Sequence, residues 1–420
     1  MNQLIGNFQV SPFFRSVVAI AGGTAAAQVV GLLVSPLLTR LYTPEAMGLW
    51  GLFVSFVGVA SVLGTLRYEV AIVAAKNEHE ALLLTKSTLY IAVFVAAASG
   101  GVFEFFRRQG ILGYSAFPSW VVLMVITASV VTVWGTVLRY WAIRQGKFAA
   151  IGRFTVTQAL FRALSQLVSA VAGDLGLLTG ELVGRFAGLR VLWKLLPVTQ
   201  GTWLSKSVLV KYRSYPLVQL PSSFLDTLAL MAPVPVFTSV YGVAVGGGLA
   251  LAQRVVGLPL NLIGASVADV FYGKAAKLAR DNPVALGRFL LSTVLRLGLI
   301  SLALGVALWF VAPRVVVVVF GSAWEQAGLM MRAMAPWLVA MLAISPVSRV
   351  VFLSKYAWLK LIYDLLSIAV VSSPLFLSIE DPIVALTVVS WAKAGQLILY
   401  LLLLFFLVDP TRFYANNRGG

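Results

Sequence analysis

The stretch "LYTPEAMGLWGLFVSFVGVASVLGTLRYEVAIVAA", residues 41–75, decides what kind of molecule this chain builds. Between Glu45 and Arg67 it carries no charge at all. At ~1.5 Å of rise per helical residue, such a run is long enough for a hydrocarbon core of ~30 Å. The spacing predicts a membrane helix over residues 46–74. Arg67 then falls about 31 Å along it, at the cytoplasmic headgroups. Two readings of "RYE" stay open: an interfacial anchor with Arg67 and Glu69 in water and Tyr68 at the headgroup level, or a gate or lobe–lobe contact on that side.

The rest of the chain repeats the pattern. Hydrophobic residues make up 60% of its 420 residues and charged residues 11%, with a mean hydropathy of +0.93. Soluble domains run at about 45–50% apolar and about 25% charged, so a soluble fold is excluded. The apolar runs are too long and continuous for barrel strands, which alternate over about 10 residues. The chain reads as an all-α polytopic membrane protein. In a soluble protein the net charge of +17 would suggest nucleic acid. Here it is assigned to loops facing anionic lipid, with no nucleic-acid partner. Without cysteine there is no disulfide and no thiolate metal site. The N-terminal "MNQLIGNFQVSPFFRS" lacks the features of a cleaved signal, so the first apolar run is expected to stay as a span.

Twelve spans are expected, near 14–40, 46–74, 82–103, 118–141, 150–172, 176–196, 216–240, 247–272, 288–311, 326–351, 357–378 and 383–408. The "VVVVV" run after Pro313 could continue the ninth or lie at the interface. With the N-terminus placed inside, twenty Lys and Arg fall on the cytoplasmic side and four on the other. That bias puts both termini in the cytoplasm. The polar connection 197–215 divides the chain into an N-terminal six-helix lobe (1–196) and a C-terminal six-helix lobe with a short tail (216–420). Residues 41–58 and 240–257 align at a constant offset that pairs Tyr42 with Tyr241, Gly48 with Gly247 and Gly58 with Gly257. Two similar halves with a site between them are a common transporter plan.

The remaining basic residues lie within the spans, where a central charge costs ~2.5–3.5 kcal/mol on insertion scales. Glu181 and Arg185 have the spacing of an internal ion pair. Arg190 and Asp269 read as anchors near span ends. Lys393 and Asp226 fall near mid-membrane, with a private ion pair as their plainest reading; Arg162 and Arg296 are also deep, and Arg254 is shallower. Arg254 and Arg296 can snorkel toward water. Four deep cations against one deep acid would make a cavity for an anionic group, and arginine pairs well with phosphate. No phosphate-binding loop and no nucleophile–base set is present, and the single histidine, His79, is no metal site.

Three stretches carry a resemblance. Residues 37–73 are similar to the first-loop and second-helix signature of Wzx-like polysaccharide transporters, the O-antigen and capsule flippases. "ALAQRVVGLPLNLIGASVADVFYGKAA" (250–276) resembles their eighth-helix motif, with Arg254, Pro259, Gly264 and Phe271–Tyr272. "FGSAWEQAGLMMRAMAPWLVAMLAISPVSRVVF" (320–352) resembles their tenth-helix region. The resemblance implies a V-shaped, MATE-like fold of twelve helices in two lobes around a central cavity, within the multidrug/oligosaccharidyl-lipid/polysaccharide exporter superfamily. The implied activity is alternating-access transfer of polyprenyl-diphosphate-linked oligosaccharide across the bacterial inner membrane for surface polysaccharide, without catalysis or cofactor. Membrane lipid and the polymerase and export proteins of the same pathway are the other partners it implies. Asp226 departs from the uncharged polar residue expected there and is the ion-coupling candidate. Lys393, Arg254, Arg162 and Arg296 are the substrate-anion candidates. A multidrug or small-metabolite cation antiporter of the same fold is the alternative. A polymerase or ligase is disfavoured by the short outer loops.

Overall fold

The computed structural model describes residues 12–197, 203–281, 283–353 and 358–408. Residues 1–11, the expected C-terminal tail and residues 198–202 of the central connection lie outside the described residues. Among those described there are helices and no strand. The first half holds α1 (Pro12–Leu41), α2 (Pro44–Thr65), α3 (Tyr68–Ala74), α4 (Glu78–Gln109), α5 (Val121–Arg144), α6 (Phe148–Val168) and α7 (Gly176–Trp193). A short α8 (Lys206–Lys211) lies in the connection. The second half holds α9 (Leu220–Met231), α10 (Pro233–Tyr241), α11 (Val243–Asp281), α12 (Pro283–Phe320), α13 (Glu325–Ala333), α14 (Ala335–Ile344), α15 (Leu359–Ser372) and α16 (Pro382–Val408).

Local chemistry sets the element ends. Thr43 is extended and its Oγ1 accepts from the Ala46 amide, while Pro44 and Glu45 occupy the first turn of α2. A capping hydroxyl, a proline that needs no amide partner and an acid at the positive helix end all favour a start there. Pro233 and Pro336 follow bends of 43° and 48° between α9 and α10 and between α13 and α14. A proline inside a helix removes one hydrogen bond and crowds the preceding turn. α12, in contrast, runs through Pro313 to Phe320, so "VVVVV" belongs to the helix and the expected end at 311 is too early.

Seven described helices are long and apolar enough to cross a membrane, or nine if each bent pair is one span. The expected twelve is not reached by that measure. One of the seven, Phe148–Trp193, is a hairpin. A Cβ added at Gly180, Gly184 or Gly188 of α7 would meet Gln166, Arg162 or Gln158 of α6, which is antiparallel pairing. At Gly184 that Cβ would lie 2.5 Å from the Arg162 Cβ and 2.8 Å from the Gln158 carbonyl oxygen. Overpacking of such a seam costs ~1–3 kcal/mol. Gly184→Val is therefore expected to lower the melting temperature of the purified protein; an unchanged melt would show that the seam is loose.

The buried cores define the shape. At one end a single core joins both halves: Leu38, Leu52 and Phe53 pack in one cluster with Val234, Phe237, Leu249 and Trp324. Trp324 Nε1 donates to the Thr39 carbonyl at 2.9 Å. At the other end the cores are separate, one around Ile72, Leu84 and Leu192 with Val208 of α8, the other around Phe271, Leu290, Val350 and Leu404. The halves join at an apex where α2 meets α11 and have separate cores where the basic loops and "RYE" lie. Gly48 and Gly247, partners in the offset repeat, meet at the closed apex. A Cβ at residue 247 would lie 1.8 Å from the Pro44 carbonyl oxygen, and one at residue 48 would lie 2.1 Å from that of Val243. The repeat's tyrosines make matching ties. Tyr42 Oη donates to the Gln166 carbonyl at 2.6 Å, and Tyr241 Oη to that of Ile379 at 2.8 Å.

Candidate functional site

The first charged cluster is built on the α6–α7 hairpin and completed by the other half. Glu181 is 2% exposed. Its carboxylate pairs with Arg185 at 3.1 Å and Arg162 at 3.8 Å and accepts from Trp50 Nε1 at 3.3 Å. The expected Glu181–Arg185 ion pair is thus part of a larger group. From α11, Arg254 reaches across and lies over the Trp50 ring, 5.3 Å from its centroid. Its Nη2 donates to the Gly31 carbonyl at 3.5 Å, while its Nη1 is buried with no hydrogen-bond partner. A cavity of about 110 Å³ opens between Gln28, Gly31, Trp50, Arg162 and Arg254. Three guanidinium groups share one carboxylate here, leaving two positive charges without a counter-ion in the group. A buried polar nitrogen without a partner costs ~1–3 kcal/mol, so a tetrahedral or planar anion in this cavity is stabilised twice, by charge and by the orphaned donor.

The second cluster lies wholly in the second half. Lys393 of α16 is 5% exposed; its ammonium donates to Ser367 Oγ and faces the rings of Trp337 and Tyr363, each 5.7 Å away. Gln396 Nε2 fixes the neighbouring turn through the Tyr363 carbonyl at 2.8 Å. The private Lys393–Asp226 pair is not formed. Asp226 accepts from Lys360 at 3.0 Å instead, and Lys360 also binds Asp364, which Ser222 Oγ approaches at 3.2 Å. Lys360, counted near the cytoplasmic end of the eleventh span, is a residue of α15 that lines the same cavity of about 180 Å³ as Asp226 and Lys393. Two ammonium groups face two carboxylates, so this cluster is balanced and the one deep acid of the sequence reading becomes two. Asp364 is 1% exposed. Removing one partner of a buried pair costs ~3–5 kcal/mol. Lys360→Met is accordingly expected to destabilise the protein strongly, and Asp364→Asn added to it to restore much of the loss; equal melting of both variants would contradict the pairing.

Arg296 joins neither cluster: it sits on α12 with its side chain exposed. Arg190 is exposed near the end of α7 as expected, and the side chains of Pro259, Gly264 and Asp269 lie outside the described residues. No group of acids and histidines suited to a metal occurs among the described residues.

"RYE" is a break in the second span. Leu66 and Arg67 both adopt left-handed backbone, at φ 48° and 62°, and separate α2 from α3. Left-handed backbone is costly for residues with a Cβ and persists where surrounding contacts impose it. Arg67 reaches Glu69 at 3.1 Å, yet Arg67 Nε and Glu69 Oε2 are buried without partners. Glu69 is 2% exposed, so it does not reach water as an anchor would. One Arg144 guanidinium nitrogen donates to the carbonyls of Ile72, Val73 and Ala75 at the end of α3. Tyr68 Oη donates to the Leu209 carbonyl of α8, and Glu80 binds Lys211 and Tyr212. The hydrogen bond to Glu80 raises the Lys211 pKa above its ordinary value. α3 is therefore clasped to the connection between the halves.

The family model for polysaccharide biosynthesis proteins matches residues 37–328. The chain belongs to that family. No curated protein matches it by sequence. Among solved structures it is similar to the lipid II flippase MurJ in an inward closed conformation, with a TM-score of 0.73 at 15% identity over 95% of this chain and 89% of that one. It is also similar to a multidrug resistance MATE family transporter of the MOP superfamily. The inward-facing form of the latter gives a TM-score of 0.63 at 14% identity, covering 96% of this chain and 99% of that one. The outward-facing form gives 0.56 at 14%, covering 96% of each chain. The polysaccharide biosynthesis family member thus has the two-lobed fold of MOP-superfamily transporters and is a multi-pass membrane protein.

Sequence reasoning named Arg162, Arg254, Lys393 and Asp226 but missed Trp50, Lys360 and Asp364. Lys360 and Asp364 are one helical turn apart, the same signal that marked Glu181 and Arg185, and both fall inside the expected eleventh span, so this pair was readable in the sequence.

Proposed function

We propose that the protein is a flippase moving polyprenyl-diphosphate-linked oligosaccharide between leaflets of the bacterial inner membrane, by alternating access, for O-antigen, capsule or exopolysaccharide assembly. The observation that carries this reading is the net-cationic group Arg162–Arg185–Arg254 around Glu181. It is assembled from both halves and contains an unpartnered guanidinium nitrogen. Arg254 and Arg162 hold the diphosphate, with Trp50 beneath the guanidinium as a flat support. Because Arg254 comes from α11 and its partners from α1, α2 and α6, an anion held there ties the halves together, and its loss lets them part.

The substrate tail has a place outside the charged cavities. An apolar groove of about 540 Å³ lies between Phe56, Val59 and Val102 of the first half and Leu228, Met231 and Pro235 of the second. The Asp226–Lys360–Asp364–Lys393 group is the proposed coupling element, since a proton or cation arriving at its carboxylates frees Lys360. Pathway polymerase and export proteins remain the proposed partners, with both termini cytoplasmic.

The alternative, export of organic cations, fits the first cluster poorly because a cation there would meet three guanidinium groups and one carboxylate. Thermal melts with farnesyl diphosphate, farnesol and tetraphenylphosphonium separate the readings. Stabilisation by the diphosphate alone, lost in Arg254→Gln, is expected; stabilisation by the cation alone would assign the protein to drug export.

A further inference from the structure

The α6–α7 hairpin carries another groove that neither charged cluster uses. A cavity of about 480 Å³ follows the seam between the two helices, lined by Arg153, Thr157 and Phe161 of α6 and by Ala187, Arg190 and Lys194 on and just beyond α7. Because the helices are antiparallel, Arg153 near the start of α6 and Arg190 and Lys194 at the end of α7 gather at one end. That end is the loop-rich one, where Arg144 and α8 also lie. Phe161, eight residues beyond Arg153, sits ~12 Å deeper along the helix. The groove is therefore cationic at headgroup level and apolar below.

All three cations are exposed, and none has a carboxylate or any other polar partner among the described residues. No acid lines the cavity. Elsewhere on the same face the basic residues are used: Lys211 binds Glu80 and Arg144 caps α3. Three converging like charges repel one another unless an anion lies between them. A free phosphate would leave Phe161, 48% exposed, without a role, and an acidic peptide would not reach a floor set inside the hydrocarbon. A lipid supplies both parts.

We propose that this groove binds an anionic phospholipid of the leaflet that meets the basic loops. Its phosphate lies between Arg153, Arg190 and Lys194, and one acyl chain lies along Phe161. Basic pockets between helices on the cytoplasmic side bind such headgroups, at ~1 kcal/mol per basic residue. The bound lipid braces the hairpin that carries Arg162 and Glu181.

The test uses the purified, delipidated full chain in detergent, titrated with phosphatidylglycerol, phosphatidylcholine and farnesyl diphosphate and read by native mass spectrometry. Wild type is expected to prefer phosphatidylglycerol over phosphatidylcholine. The triple variant Arg153→Gln, Arg190→Gln, Lys194→Gln should lose about 100-fold in phosphatidylglycerol affinity while keeping its response to farnesyl diphosphate. If the triple variant does not fold, Arg190→Glu replaces it and should abolish the preference. Equal binding of the two phospholipids by wild type overturns the proposal, as does an unchanged preference in the folded variant. Loss of farnesyl diphosphate binding in the variant also overturns it, because the groove would then belong to the transported substrate.

Discussion

Arg254→Ala is expected to reduce translocation by about 100-fold at unchanged protein level. Each hydrogen bond to a charged group is worth ~1.5–3 kcal/mol, and a guanidinium can give an anion two of them. The substitution also removes the contact with Trp50 and the tie to Gly31, which link α11 to α2 and α1. Arg254→Lys is not a conservative rescue: an ammonium offers a point charge and no planar pair of donors. Initial rates in vesicles matched for incorporated protein measure the effect. A rate within threefold of wild type for Arg254→Ala would remove Arg254 from the anion site, leaving Arg162 and Arg185 with Glu181.

Gly247→Ala is expected to open the apex. The added methyl would fall within 1.8 Å of the Pro44 carbonyl oxygen and 2.9 Å of the Gly48 amide nitrogen, both main-chain atoms that no side-chain rotation can move away. The clash is with the partner half, so relief comes from separating α2 and α11 at that end, at a cost of ~1–3 kcal/mol or more to the closed-apex state. The chain has no cysteine, which makes the measurement direct. A single Ala46→Cys, at a position fully buried in the apex, should resist a membrane-impermeant maleimide in the Gly247 background. It should react readily in Gly247→Ala. Equal protection in both would mean that the apex yields locally without parting.

How much of this was legible in the sequence follows from the kind of signal each feature carries. Uncharged runs act over tens of residues, so the helical membrane fold could be read directly, though not its count of spans. The offset repeat pointed at Gly48 and Gly247, which the structure presses together, and at Tyr42 and Tyr241, which anchor equivalent turns. Pairing between deep charges could not be read in the same way. Asp226 and Lys393 have matching depth, but depth does not fix which way a helix face turns, and Lys360 reaches Asp226 first. Arg296 shows the same limit from the other side, being read as deep alongside Arg162 yet exposed on α12. The break at Leu66–Arg67 has no glycine at either of its left-handed positions. The short helix that follows it is held by Arg144 and by the α8 clasp, both distant in sequence.

The reading of both clusters rests on a cavity that takes an anionic lipid headgroup. Reconstituted wild-type protein, given a polyprenyl-diphosphate oligosaccharide on one side of a vesicle and, separately, a cationic dye, tests it most directly. The account predicts that the oligosaccharide appears in the opposite leaflet while the dye is not moved. Dye transport with no movement of the oligosaccharide would contradict it.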